Sequence, residues 1–251
     1  MATVEQVTAP YDNVLVPIVG PGGDRCTVCK SVVNPGYTCC YQCHKQRGNL
    51  PYTADVIAPI ALSVKGGQWA HELSAYKNSL SSDARWTMTV KIGAVLWRWL
   101  ELHEGHVAEA AGVRQFSIVT SVPSTRNRAD HPLSGMLKSI VGPTSNRYYD
   151  LLVANAQYPT GSRDARYDRF IAQRLQGQAV LLIDDQWTSG GRAQSAAAAL
   201  RIGGSGPVAV VSLGRHFDQN PDIDIYRTAA QNYLKTANKQ GWDWNRCCLR
   251  A

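Results

Sequence analysis

Residues 180–191, VLLIDDQWTSGG, join an aliphatic run to two adjacent carboxylates, Asp184 and Asp185, and then to Trp187, Thr188, Ser189, Gly190 and Gly191. Glycines let backbone N–H groups approach a ligand closely, and a helix starting near Arg192 adds the positive potential of its N-terminus. That combination is an anion site, most naturally for a phosphate. The Thr188 and Ser189 hydroxyls are further donors. The carboxylates are acceptors and cannot themselves hold a phosphate, but a sugar diol or a ligand-borne metal satisfies them. Phosphate on one side and hydroxyls on the other describe a ribose 5-phosphate. The competing reading is an ordinary strand-to-helix turn, with Asp as cap and Gly for tightness. Gly-Lys-Ser/Thr and G-x-G-x-x-G are both missing, which excludes a P-loop and the dinucleotide fingerprint.

A second cluster lies upstream. Cys26-x2-Cys29 and Cys40-x2-Cys43 are separated by ten residues, the spacing of a zinc ribbon in which four thiolates complete a tetrahedron. Cys39 and His44 are alternates for one position. Four protein ligands leave no open coordination site, so the expected zinc is structural. Cys247 and Cys248, in WNRCCLR, lack a second pair and read as structural or incidental.

The motif at 180–191 resembles the phosphoribosyl-pyrophosphate (PRPP) motif of the type I phosphoribosyltransferases: an aliphatic run, two acids, two variable residues, then Thr-Thr/Ser-Gly. The resemblance implies that Asp184 and Asp185 are the catalytic acids and hold the ribose 2- and 3-hydroxyls. It implies that Trp187, Thr188, Ser189, Gly190, Gly191 and Arg192 surround the 5-phosphate. It places a pyrophosphate loop in IVTSVPSTRNR, with Ser124, Thr125, Arg126 and Arg128 as donors, and it implies Mg²⁺ bridging diphosphate and sugar. Arg192 stands where the family usually has Thr or Ser, and Trp187 is bulky for its place. A zinc ribbon before such a domain is similar to the ComF-type competence proteins, a likeness that takes in the AYK segment at Tyr76. RADHPLSG stands where those proteins often carry Arg-Gly-Phe-Asn. Two function classes follow: transfer of phosphoribosyl from PRPP to an unidentified acceptor, or a DNA-processing accessory that keeps the pocket and binds single-stranded nucleic acid. A sensor of PRPP or a nucleotide, without turnover, is a third.

The elements that must position these residues alternate along the chain. The expectation is an α/β fold, with a parallel sheet covered by helices on both faces and a small N-terminal zinc ribbon. Residues 1–25 read as an irregular lead-in, 26–46 as the ribbon and 47–251 as the α/β domain. ADVIAPIALSV reads as one strand or a hairpin broken at Pro59. ARWTMTVKIGAVLWRWLELHEGHVAEAAG carries Ile92, Val95, Leu96, Trp99 and Leu102 at helical spacing, with a stop near Gly112. Further strands are expected at 116–122, in YYDLLVAN, at 179–184 and in PVAVVSLG. Helices are expected near 134–141, in SRDARYDRFIAQRL, in GRAQSAAAALRIGG and in IDIYRTAAQNYLKTANK. The stretch 126–165, with Arg163 and nearby Arg166, is the candidate for a loop that closes over the site. Residues 44–80, including His71, are the candidate acceptor hood.

The bulk numbers fit. The 251 residues are 44% hydrophobic, enough for a core, and no run of about 18 apolar residues suggests a membrane span. Net charge is +7, and eight Lys/Arg against four Asp fall between Arg126 and Arg174, which points to an anionic partner. MATVEQVTAPYDN lacks a charged region followed by an apolar run, so the expected location is the cytoplasm.

Overall fold

The computed structural model describes residues 2–20, 22–34, 36–124, 131–158 and 164–250. Its strands are Val16–Pro17 (β1), Val56–Val64 (β2), Ile118–Ser121 (β3), Leu152–Ala154 (β4), Phe170–Ala172 (β5), Val180–Trp187 (β6) and Val208–Phe217 (β7). Its helices are Val4–Thr8 (α1), Tyr41–Asn49 (α2), Gln68–Asn78 (α3), Ser82–Ala110 (α4), Pro132–Ser139 (α5), Gly142–Ser145 (α6), Gly191–Ile202 (α7) and Asp224–Gln240 (α8). The central sheet has the order β1-β2-β7-β6-β3, parallel except for β1.

Alternation along the two central strands divides the core. Leu181, Ile183, Ala209, Val211 and Leu213 pack with Leu73, Tyr76, Leu96 and Trp99 of α3 and α4. Val180, Leu182, Val208 and Val210 turn the other way, against Ala193, Ala196, Ala197 and Leu200 of α7 and the cysteines Cys26, Cys29 and Cys43. Successive side chains of a strand face opposite sides, so a strand buried on both must be aliphatic throughout. Residues 180–183 are fully buried. The run of small side chains on α7 lets that helix sit close to the sheet.

Several expectations need correction. The lead-in is not irregular. Thr3 and Gln6 form a capping box that starts α1. A 3-10 turn at Ala9–Asn13 follows, and β1 then joins the sheet edge. Tyr11, Leu15, Ile18 and Val19 are part of the core. Pro59 does not break its strand. β1 pairs only with Ala61 and Leu62, so at Pro59 one side of β2 lies beyond β1, and the missing N–H is tolerated there.

On α4 the buried stripe continues through Leu100, His103 and Val107, while Leu102 is exposed. Gly112, with φ +68°, follows its end as foreseen. Residues 164–175 do not form a helix. They make a 3-10 turn at Tyr167–Arg169 and then β5, which pairs antiparallel with β4 in a separate ribbon. Phe170 and Leu152 bury together against α7, and Arg169, itself buried, donates to the Asp164 carbonyl. Pairing with a neighbouring strand here outweighs the helical spacing of the isolated segment. YYDLLVAN accordingly supplies β4 to this ribbon and not to the main sheet.

Candidate functional site

The acid pair sits where β6 outruns its neighbour. β3 pairs with Val180–Ile183 and its extension ends as the Val122 N–H donates to the Ile183 carbonyl. β6 continues to Trp187, with Asp184, Gln186 and Trp187 in register with Ser212, Gly214 and Arg215 of β7. The acids therefore belong to the strand and not to a loop, at the carboxyl edge of the parallel sheet, where open α/β sheets hold ligands.

Strand alternation turns the two carboxylates to opposite faces. Asp185 lies on the α3 side, where the Tyr76 hydroxyl donates at 2.9 Å and Lys77 forms an ion pair. Asp184 accepts the Asp185 N–H at 3.0 Å. Burial pushes its carboxyl above the ordinary carboxylate range, opposed by the charges of Arg192 and Lys77 and by the Gln186 N–H. Both acids line one notch of about 210 Å³, together with Lys77, Ser124, His131 and Arg192. Ser124 and Arg192 thus stand beside the acids. Thr125, Arg126, Arg128 and Arg163 lie outside the described residues. Arg166 is spent on a surface ion pair with Asp168.

The turn after β6 is built around Trp187. Its ring is buried and packs under Gly190, which has φ +81° and ψ −1° and leads into α7 without a side-chain cap. A Cβ at Gly190 would fall 2.1 Å from the Trp187 ring, so glycine is required by both conformation and space. Trp187 plugs the sheet edge. The Ser189 hydroxyl accepts the Gly191 N–H at 3.4 Å. Trp187, Thr188 and Ser189 do not line the acid notch. They border a larger hollow of about 870 Å³ shared with Cys29, residues 31–34, residues 36–42, His44, Arg215 and His216. The residues expected to surround one phosphate are therefore divided: Arg192 with the acids, the hydroxyls with the hollow. His71 is exposed on α3, whose Lys77 lines the notch.

The cysteine cluster adjoins this turn. The sulfurs of Cys26, Cys29, Cys40 and Cys43 lie within 4.8 Å of one another, and Cys29 and Cys40 are 3.7 Å apart. Tetrahedral zinc with Zn–S bonds of about 2.3 Å spaces its sulfurs about 3.8 Å apart, so the four residues fit a structural zinc ion. Hydrogen bonds from Cys29, Cys40 and Cys43 hold the Cys26 thiol well below the ordinary thiol range.

The first pair sits in a tight turn that closes through Lys30, at φ +62°, and an antiparallel bridge between Arg25 and Val32. The second pair is not a matching knuckle. Cys40 precedes α2 and Cys43 lies in its first turn, where the helix N-terminus favours thiolates. Cys39 lies 4.0 Å from Cys26 but outside the four-residue group, and His44 is exposed.

Two residues that sequence reasoning missed tie this cluster to the turn. Gln46 of α2 donates to the Ser189 carbonyl at 2.5 Å. Arg215 of β7 donates to the carbonyls of Trp187 (3.2 Å), Thr188 (3.1 Å) and His216 (2.6 Å), and to Cys29 Sγ at 3.7 Å. Gln46 falls just after the second cysteine pair and Arg215 in an aliphatic strand, and neither spacing announces a contact with residues 187–189. Only the fold brings them there.

Fold and site together define an α/β protein with a mostly parallel central sheet and a four-cysteine group able to hold a structural metal such as zinc. No helix among the described residues is long and apolar enough to cross a membrane. Scanned against protein-family models and searched against curated proteins, the sequence matches none.

Proposed function

We propose that this chain is a cytoplasmic, type I phosphoribosyltransferase-like protein that binds PRPP and transfers its phosphoribosyl group to an acceptor with release of pyrophosphate. The observation that carries the reading is the shared notch. Two buried acids project beyond the end of β3, with Ser124 on one flank and Arg192 at the start of α7 on the other. Asp184 offers acceptors to the ribose hydroxyls. Arg192 and the N-terminal N–H groups of α7 offer positive charge to a phosphate. Ser124 begins the segment that would face the diphosphate. Mg²⁺ arriving with PRPP would neutralise charge on the leaving group, and Asp184 would be the carboxylate to meet it.

The remaining work falls to positioning. Displacement at the anomeric carbon needs the phosphate and sugar held while positive character develops on the ring, and a preorganised charged notch supplies that. The zinc cluster has no part in the chemistry. It buttresses the turn through Gln46 and Arg215.

One observation favours a second reading, binding without turnover: Asp185 is already engaged by Lys77 and Tyr76. Pyrophosphate release from PRPP and Mg²⁺, screened across bases and amines, separates the two. Release with one acceptor supports transfer. PRPP binding without release under any condition leaves a sensor and removes the enzyme.

A further inference from the structure

α4 and the C-terminal segment build a second metal-ligating cluster, remote in sequence from the four cysteines. His103 and His106 stand three residues apart on α4, so they share one helix face. Cys247 reaches the same place from the other end of the chain. One ligand atom from each of the three residues lies within 4.8 Å of the others.

The histidines are prepared for this role. His103 is 1% exposed, and its Nε2 lies 2.7 Å from the Trp244 carbonyl. A carbonyl only accepts, so the proton of the neutral ring is on Nε2 and Nδ1 carries the lone pair. That Nδ1 is buried and has no hydrogen-bond partner, and the same holds for Nδ1 of His106. An imidazole whose second nitrogen donates to a backbone carbonyl is the usual arrangement around a bound metal, because the outer bond fixes tautomer and ring angle. Two buried nitrogens without a hydrogen-bond partner thus stand beside a buried thiol that is in no disulfide.

The segment that brings Cys247 to the histidines is firmly held. The Trp244 indole N–H donates to Asp12 at 2.6 Å, and the Arg98 guanidinium lies 4.2 Å over its ring. Arg250 pairs with Glu109.

We propose that His103, His106 and Cys247 form a second zinc site, with three protein ligands and a fourth position left to a water molecule, and that it fastens the C-terminal segment to α4. Imidazole and thiolate together select a borderline-soft divalent ion, and zinc is bound by such mixed sets.

The test is zinc stoichiometry on the full-length protein, measured by elemental analysis after exchange into metal-free buffer. The unaltered chain is expected to retain two zinc ions. Cys247→Ser and His106→Gln are each expected to retain one. His106 is only partly buried, so its variant guards against misfolding of the cysteine variant, and far-UV circular dichroism checks both. Cobalt substitution gives a second readout: the rise in sulfur-to-cobalt charge-transfer absorption that the second equivalent produces in the unaltered chain should be lost in Cys247→Ser. One zinc in the unaltered chain, or two zinc ions retained in either folded variant, would overturn the proposal.

Discussion

Gly190→Ala is the substitution through which the turn after β6 can be weighed. Gly190 sits at φ +81°, and an added Cβ would lie 2.1 Å from the Trp187 ring. Gly177 is a built-in control: its φ is +80°, but nothing lies within 4 Å of an added Cβ. The left-handed conformation alone costs a non-glycine residue about 1–2 kcal/mol, so Gly177→Ala should lose that amount. Gly190→Ala adds overpacking against a buried indole, about 1–3 kcal/mol more, for a total of about 2–5 kcal/mol. Urea unfolding of both variants reads the difference directly. Binding of inorganic phosphate and of PRPP should weaken at least about tenfold in Gly190→Ala, a loss of about 1.4 kcal/mol, and stay unchanged in Gly177→Ala. Equal stability losses in the two variants would refute the claim that Trp187 is wedged under this glycine. Unchanged phosphate binding in Gly190→Ala would refute the role of the turn.

Other substitutions test the acids and the metal. Burial raises the Asp184 carboxyl, so its proton is held more tightly in the folded chain. That contribution favours folding below the ordinary carboxylate range and is lost as pH rises through the raised value. Asp184→Asn should therefore increase stability at neutral pH relative to mildly acidic pH while weakening PRPP binding, as urea midpoints and calorimetry would show. Lys77→Met strips the buried Asp185 of its cation. It should cost up to about 3–5 kcal/mol, because the buried carboxylate loses its cation and keeps the Tyr76 hydroxyl, and Asp185→Asn in the same chain should recover part of that loss. Stripping the four-cysteine site with a chelator should lower both the melting temperature and phosphate affinity, because Gln46 and Arg215 link that cluster to residues 187–189. Equal phosphate affinity in stripped and zinc-loaded protein would break this link. Single-stranded DNA titrated at two salt concentrations should bind weakly and without a steep salt slope if the notch serves a small phosphorylated ligand. A steep slope would favour the accessory reading.

Much of the molecule was legible because local chemistry and global packing agree. The unbroken aliphatic run before Asp184 announces a strand buried on both faces, and Gly112 closes α4. The Cys-x2-Cys pairs announce a metal cluster. Thr3-x-x-Gln6 is a capping box that a reading of residues 1–25 as irregular overlooked. The segment 164–175 misleads because Ala165, Arg169 and Phe170 bury with a spacing near the helical one, while β4, which claims it as a partner, lies elsewhere in the chain. Opposite facing of Asp184 and Asp185 follows only once the strand is seen to run to Trp187. Arg215 lies outside every motif, and Gln46, though three residues after Cys43, has no spacing that ties it to residues 187–189. Cys247 has no cysteine pair in the sequence because its neighbours in the fold, in LHEGHV, are histidines more than a hundred residues away.

The central claim is that the Asp-Asp notch holds a phosphoribosyl diphosphate. Calorimetric titration of the zinc-loaded full chain with PRPP in the presence of Mg²⁺ tests it most directly. One-site binding is expected, weakened at least about tenfold, some 1.4 kcal/mol, in both Asp184→Asn and Arg192→Met. Absence of binding, or affinity unchanged in both variants, would contradict it.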